Sequence, residues 1–233
     1  RLEDFKDRDM IIKSAGVPLD SIYIALARKN NIPIEMDVSL FAKCAPEVMI
    51  VGVTGTRGKS MTTALIYEIL RKNVKYIKTG LNHSGRMVGR KTLPCKVFLG
   101  GNVRGVATLP FLKKVKEGDI LVCELDSWQL QGFGDLRISP NISVLTSFMA
   151  DHMNYYSLTT LTTSQAMKKY FADKANIFKF QKKEDILIIR PGIKKLIPKN
   201  LKSKLIVVNS KKMGEYDFSV PGKFQQENLA CAV

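Results

Sequence analysis

A glycine-rich turn between an apolar strand and a helix is the feature that most limits what this chain can fold into. Residues 51–60 read Val-Gly-Val-Thr-Gly-Thr-Arg-Gly-Lys-Ser, and the apolar run that precedes them begins near Val48. Gly55 and Gly58 allow backbone N–H groups to face anionic oxygens, and the helix that follows adds the positive end of its dipole. The pattern predicts a binding site for a nucleoside triphosphate.

The side chains of this turn have separate predicted roles. Lys59 can reach the β- and γ-phosphates of ATP, and the Ser60 hydroxyl can bind Mg²⁺. Val53 stands where the usual phosphate-loop pattern has its first glycine, so an ordinary strand–turn–helix with a surface lysine is the alternative. The candidate ATP contacts are Thr54, Gly55, Thr56, Arg57, Gly58, Lys59 and Ser60.

Strands and helices alternate along most of the chain, which predicts an α/β fold with a mostly parallel sheet flanked by helices. Residues 46–233 form the predicted ATP-binding domain. Residues 1–45, with a helix at 22–29 and a short strand at 32–36, read as the end of a preceding domain. The predicted strands are 49–53, 74–77, 96–99, 119–125, 142–146, 186–189 and 205–208, and the predicted helices are 59–71, 106–115 and 164–180.

Composition excludes several classes of protein. The formal net charge is +16, but the lysines are scattered singly and in pairs, so we expect a solvated surface and no nucleic-acid partner. A nucleic-acid-binding protein remains an alternative that rests on charge alone. No apolar run is long enough to span a bilayer and no signal peptide is evident, so we expect no membrane partner. The four cysteines form no C-x-x-C pair, which favours reduced thiols in the cytoplasm.

Polar residues follow three of the predicted strands at their carboxyl ends, where open α/β sheets bind ligands. Asn102 lies in a turn after one strand, Glu124 closes an apolar strand, and His152 follows a third. A buried carboxylate is unfavourable unless a cation neutralises it. A salt bridge for Glu124 and a turn position for His152 are the alternatives when each is taken singly.

A lysine occurs on the apolar stripe of the predicted helix 164–180. Lys174 can extend its ammonium to the helix rim, or it can face the active site, and periodicity alone favours the first reading. The stripe consists of Met167, Tyr170, Phe171, Lys174, Ile177 and Phe178.

Taken in order, these segments resemble the central ATPase domain of the Mur ligases, the bacterial cytoplasmic enzymes that build the peptide of the peptidoglycan precursor. Residues 124–130, Glu-Leu-Asp-Ser-Trp-Gln-Leu, are similar to the Glu-Leu-Ser-Ser-Phe-Gln-Leu of the D-glutamate-adding member. Residues 9–18 are similar to its Ser-Pro-Gly-Val-Pro segment. The resemblance is carried by residues 9–18, 54–60, 100–103, 124–130, 151–152, 170–177 and 222–228.

The resemblance implies a role for each matching residue. Lys59 holds phosphates, and Ser60 binds one of two Mg²⁺ ions. Glu124, His152 and Lys174 are the implied ligands of the second, with Lys174 carbamylated by CO₂ so that it offers the oxygen donors that Mg²⁺ prefers. Asn102 and Ser127 are the implied contacts to the UDP-sugar. Asn228 and Gln225 are expected near adenine, although Phe224 and Gln225 replace the family's His-Asn.

The resemblance also implies the reaction. ATP activates the carboxylate of UDP-N-acetylmuramoyl-L-alanine as an acyl phosphate, and the amine of D-glutamate displaces phosphate. We expect a monomer that lacks the family's C-terminal domain and most of its uridine-binding domain, because the chain ends at Val233. A folylpolyglutamate-synthetase-like ligase and a non-catalytic nucleotide-binding remnant are the alternatives.

Overall fold

The structure is a computed structural model that describes residues 1–17, 21–74, 76–81, 87–151, 153–156, 162–208 and 222–233. Its strands are β1 (Ile11–Ile12), β2 (Ile34–Glu35), β3 (Met49–Thr54), β4 (Tyr76–Leu81), β5 (Met87–Pro94), β6 (Val97–Gly101), β7 (Ile120–Glu124), β8 (Ile142–Leu145), β9 (Ile186–Ile189) and β10 (Lys204–Val207). Its α-helices are α1 (Ile22–Lys29), α2 (Asp37–Cys44), α3 (Lys59–Asn73), α4 (Ser127–Asp135), α5 (Met153–Tyr156), α6 (Thr163–Ala175) and α7 (Lys223–Ala232).

A six-stranded parallel sheet organises the fold. The strand order is β10-β9-β8-β3-β7-β6, and every neighbouring pair is parallel. The interior strand β7 is buried at all five positions, as expected when helices cover both faces of a parallel sheet. The predicted α/β class is therefore confirmed, and the predicted strand 186–189 coincides with β9.

Helices pack on both faces of this sheet. On one face, α2 and α4 bury Phe41, Leu130 and Phe133 completely. On the other face, α3 contributes Ile66 and the end of α7 contributes Cys231. Because these strands are parallel, the carboxyl end of β3 lies at the same edge of the sheet as the ends of β7, β8 and β9.

The first 45 residues contain a small parallel pair of strands, β1 and β2, with helix α1 beside it. Ser21 caps α1 by accepting a hydrogen bond from the Ile24 amide, so the predicted helix 22–29 is confirmed. Helix α2 was not predicted, and its Val38 is fully buried in the core of the large sheet. The division into residues 1–45 and 46–233 stays a prediction.

Three sequence-based elements differ from the structure. The predicted helix 106–115 is wrong: only a 3₁₀ helix, Leu109–Lys113, forms there, because Pro110 has no amide hydrogen and Gly105 adopts φ +77°. The strand predicted at 74–77 forms later, as β4, and pairs with β5 in a separate antiparallel ribbon rather than in the main sheet. The helix predicted at 164–180 ends at Ala175.

The early end of α6 has a physical cause in its last turn. The amides of Ile177 and Phe178 bond to carbonyls only three residues back, which tightens the chain into turns. The Asn176 side chain donates to the Leu130 carbonyl, and the Asn176 carbonyl accepts from Ser139. Tertiary hydrogen bonds thus replace the next helical turn.

Candidate functional site

The glycine-rich turn lies on the segment that follows β8. The Thr56 amide donates to the Ser147 carbonyl at 3.0 Å, and the Arg57 amide donates to Ser147 Oγ at 2.7 Å. Thr146 Oγ1 and Ser147 Oγ both donate to the Arg57 carbonyl, at 2.6 and 2.9 Å. The segment after β8 therefore holds the turn in one shape before any ligand arrives, which lowers the ordering cost of binding.

Two glycines of the turn cannot be replaced without strain. Gly58 immediately precedes α3 with φ +88°, a left-handed conformation that side chains disfavour. A Cβ at Gly58 would also collide with Asn228 Oδ1, and a Cβ at Gly55 would collide with Thr146 Oγ1. The backbone of the turn is thus packed closely against β8 and α7, as a phosphate cradle requires.

The charged and hydroxyl side chains of the turn stay available to a ligand. Lys59 opens α3 and its Nζ donates to the Thr56 carbonyl at 3.4 Å, a long contact that an anion can replace. Ser60 and Arg57 are exposed, whereas Thr54 is fully buried. The amino end of α3 therefore presents one lysine, one hydroxyl and its helix dipole to the same opening.

Lys174 is buried against the underside of this turn. It is 2% exposed, and its Nζ donates to the Gly55 carbonyl at 3.0 Å and to Thr54 Oγ1 at 3.3 Å. The Tyr170 ring lies beneath the ammonium, with its centroid 4.9 Å from Nζ. The reading in which Lys174 extends to solvent at the helix rim is wrong, because the helix turns this position towards the phosphate loop.

Burial changes the protonation of Lys174. Desolvation, with a smaller contribution from the charge of Lys59, lowers the pKa of Lys174 from 10.5 to about 7. The carboxyl of Asp126, the residue that caps α4, opposes this change, and desolvation raises its own pKa. A sizeable fraction of Lys174 is therefore a neutral amine near neutral pH, and a neutral amine can act as a nucleophile.

Glu124 ends β7 next to the turn and is 6% exposed. Within the described part of the chain, its carboxylate receives no hydrogen bond and pairs with no cation. Its carbonyl accepts from the Asn102 amide at 2.7 Å, which fixes the two strand ends together, while the Asn102 side chain is exposed. A shielded carboxylate is the kind of group that a divalent cation stabilises.

Ser127 lies beside a tyrosine that bonds to helix α6. Ser127 is 2% exposed and lies near the Tyr156 hydroxyl, which donates to Asp173 Oδ2 at 2.8 Å. Gln131 donates to the same carboxylate oxygen at 2.8 Å. These bonds join α5 and α4 to the turn of α6 that carries Lys174.

The predicted ligand His152 lies outside the described residues. Among the described residues, no group of three or more His, Cys, Asp and Glu side chains is arranged to hold a metal ion. Mg²⁺ does not need such a cage, because it keeps several waters and commonly takes one or two carboxylates plus phosphate oxygens. Glu124 and Ser60 fit that pattern.

Helix α7 brings Asn228 to the phosphate loop. Asn228 is 2% exposed, its Oδ1 faces Gly58, and its Nδ2 donates to Gln225 Oε1 at 2.7 Å. Asn228 Oδ1 accepts a short bond from Arg190 Nη2. Arg190 Nη1 also donates to Glu227 Oε2 at 2.9 Å, so one guanidinium joins the end of β9 to α7.

Two cavities lie beside the segment that follows β9. One, of about 380 Å³, adjoins the phosphate loop and is lined by residues 146–149, 190–193, Val208 and Glu227. The other is more open, about 840 Å³, and lies along residues 191–205 without any of the predicted site residues. The smaller cavity is the candidate ligand pocket, because position relative to the phosphate loop outweighs volume.

Sequence reasoning missed Arg190, Glu227, Tyr156 and Asp173. Arg190 follows β9 directly, so the rule that ligands bind at strand carboxyl ends could have identified it. Glu227 and Tyr156 carry no local signal, because their roles depend on which helix packs against which strand. Among the described residues, no helix is long and apolar enough to cross a membrane.

Comparison with known proteins agrees with this geometry. The family profile described as the Mur ligase middle domain matches residues 53–205. The chain is 30% identical over 247 residues to the UDP-N-acetylmuramoylalanine–D-glutamate ligase of Geobacillus sp. (strain WCH70), covering 97% of the chain and 48% of that protein. It is 31% identical over 217 residues to the enzyme of the same name from Borreliella burgdorferi (strain ZS7), covering 93% of the chain and 40% of that protein. The chain thus spans less than half the length of these relatives.

Solved structures share the fold at low sequence identity. A MurF ligase from Thermotoga maritima, solved in complex with ADP, is 18% identical with a TM-score of 0.52, covering 98% of this chain and 62% of that one. A UDP-N-acetylmuramate:L-alanyl-gamma-D-glutamyl-meso-diaminopimelate ligase from Neisseria meningitides is 14% identical with a TM-score of 0.55, covering 99% and 74%. At these identities the likeness extends to the fold alone.

Proposed function

Because the chain belongs to the Mur ligase family, we propose that it supplies the ATP-binding part of an enzyme that joins D-glutamate to UDP-N-acetylmuramoyl-L-alanine. Relatives that carry this name are about 30% identical over nearly the whole chain, which supports that substrate pair over those of sister ligases. The observation that carries the proposal is the convergence of Lys59 and Lys174 on adjacent carbonyls of one glycine turn.

The first half of the proposed reaction is phosphoryl transfer. A carboxylate oxygen of the UDP-sugar substrate attacks the terminal phosphorus of ATP, the bond to the bridging oxygen breaks, and ADP leaves. Charge on the transferring group is the main obstacle, and Lys59 with the amino end of α3 would neutralise it. Thr146 and Ser147 hold the glycine turn in place, so its backbone N–H groups need little rearrangement when they bind phosphate.

The second half is amide formation. The amine of D-glutamate attacks the activated carbonyl carbon, phosphate leaves, and the nitrogen loses a proton. Ser127 and Asn102 would hold the sugar substrate at the mouth of the site, where Tyr156 and Gln131 both donate to Asp173 and so join α5 and α4 to α6. Holding both reactants in place accounts for much of the rate gain in such two-substrate reactions.

The residues present fit two Mg²⁺ ions. Ser60 would bind one, and Glu124 with His152 and a carbamylated Lys174 would bind the other. Mg²⁺ supplies charge neutralisation at phosphate oxygens. Among the described residues, none donates a hydrogen bond to the Glu124 carboxylate, and the pKa of Lys174 is lowered. Both observations support this assignment, since a neutral amine is the form that reacts with CO₂.

The proposal is tested by measuring phosphate release from ATP and Mg²⁺ by the protein that carries this chain. UDP-N-acetylmuramoyl-L-alanine is supplied with D-glutamate, L-glutamate or meso-diaminopimelate in separate reactions, and a folate is supplied with L-glutamate in another. We expect release that depends on both the sugar nucleotide and D-glutamate and that Lys59→Ala abolishes. Release that depends on a folate and L-glutamate, or ATP binding without any turnover, would favour one of the two alternative functions.

A further inference from the structure

The cavity of about 380 Å³ beside the phosphate loop has the form of a base pocket. Its walls are mostly apolar, and Ser147 on its rim also bonds to the phosphate loop at Arg57. Its volume lies within the range of roughly 300–1,000 Å³ that small-ligand pockets occupy. The apolar walls are formed by Phe148, Met149, Pro191, Ile193 and Val208.

One carboxylate lines this cavity. Glu227 belongs to α7, and its Oε2 accepts from Arg190 Nη1 at 2.9 Å. Both side chains are largely shielded, with 33% of Glu227 and 15% of Arg190 exposed. Among the described residues, the other carboxylate oxygen, Glu227 Oε1, receives no hydrogen bond. Arg190 thus orients a carboxylate that keeps one free acceptor at the pocket.

Asn228, which the family resemblance implies near adenine, already has hydrogen-bond partners within the protein. Its Oδ1 accepts from Arg190, its Nδ2 donates to Gln225, and it packs against Gly58 outside the lining of the cavity. Among the residues that line the cavity, Glu227 is therefore the one whose carboxylate can accept a hydrogen bond from a base. A carboxylate selects a donor, and the six-position amine of adenine is a donor.

We propose that Glu227, oriented by Arg190, accepts a hydrogen bond from the exocyclic amine of the purine base of the bound nucleotide. The inference rests on the proposed nucleotide-binding function and assigns base recognition to a residue pair. Glu227 contacts the base, whereas Arg190 is a positioning residue that acts through Glu227. The bond is charge-assisted, and such bonds are about twice as strong as neutral ones.

The test combines variants with two ligands. ATP and purine riboside 5′-triphosphate, which has hydrogen in place of the amine, are titrated with Mg²⁺ into the wild type, Glu227→Ala and Glu117→Ala. Glu117 is an exposed residue before β7, at the opposite end of the sheet. We expect the wild type and Glu117→Ala to bind ATP about tenfold more tightly than the analogue, and Glu227→Ala to bind both alike.

Two further variants separate recognition from folding. Arg190→Gln should lower the ATP preference while Arg190→Lys partly retains it, a result that a purely structural role would not produce. If Glu227→Ala unfolds, Glu227→Gln keeps the side-chain shape and should give an intermediate preference. An unchanged preference in a folded Glu227 variant overturns the inference and leaves nucleotide binding intact. A wild type that binds neither triphosphate overturns both the inference and the proposed function.

Discussion

Replacing Lys174 by methionine should change how the stability of the unliganded protein depends on pH. The pKa of Lys174 falls from 10.5 to about 7 in the folded state. At about 1.4 kcal/mol per pH unit, protonation of this buried group disfavours folding by about 5 kcal/mol. Between pH 7 and pH 10.5 the unfolded chain holds about one more proton than the folded chain. The free energy of unfolding therefore rises with pH across this window, and the gain is lost as the pH falls to the folded-state pKa.

The assay is urea unfolding in CO₂-free, metal-free buffer at several pH values from 6.5 to 9.5. The unfolding free energy of the wild type should rise relative to Lys174→Met by up to about 1.4 kcal/mol per pH unit above pH 7. Lys168→Met is the matched control, because Lys168 is exposed on the same helix. A wild-type curve parallel to that of Lys174→Met would refute the burial of the ammonium against the turn.

Three other predictions follow from the same geometry. Gly58→Ala should destabilise the fold by about 2 kcal/mol or more in urea unfolding, whereas Gly16→Ala, with open space around it, should not. In the native protein a disulfide reagent should label exposed Cys44 and spare Cys123, because complete burial raises the pKa of the Cys123 thiol far above its usual value; equal labelling rates would contradict the sheet position. Lys174→Ala should abolish ligation in the protein that carries this chain, with partial recovery in added short-chain carboxylates, and normal turnover in that variant would exclude the carbamate.

Local patterns predicted the sheet and the phosphate loop well. The glycine turn with Lys59 and Ser60 follows β3 as expected, because strand, turn and helix signals agree over ten consecutive residues. Helix α4 was missed although Asp126 and Gln129 form a capping box at its start. Gly132 and Gly134, poor helix formers, masked that signal.

The positions of the pocket residues could not be predicted from local patterns. Periodicity placed Lys174 on an apolar stripe and favoured the helix rim, which was wrong because its direction depends on α6 packing beneath the loop. The Arg190–Glu227 pair joins residues 37 positions apart, and only the docking of α7 beside β9 brings them together. Pattern reasoning therefore located the glycine turn of the candidate site, whereas the positions of Lys174, Arg190 and Glu227 depend on tertiary contacts.

Titration of Mg·ATP into the chain by calorimetry is the most direct test of the central claim, that the glycine turn binds a nucleoside triphosphate. Lys59→Ala is compared with Lys72→Ala, which removes an exposed lysine near the other end of the same helix. The account predicts binding by the wild type and Lys72→Ala and at least about tenfold weaker binding by Lys59→Ala, since a phosphate-paired charge contributes more than about 1.4 kcal/mol. Equal affinity in all three proteins would contradict it.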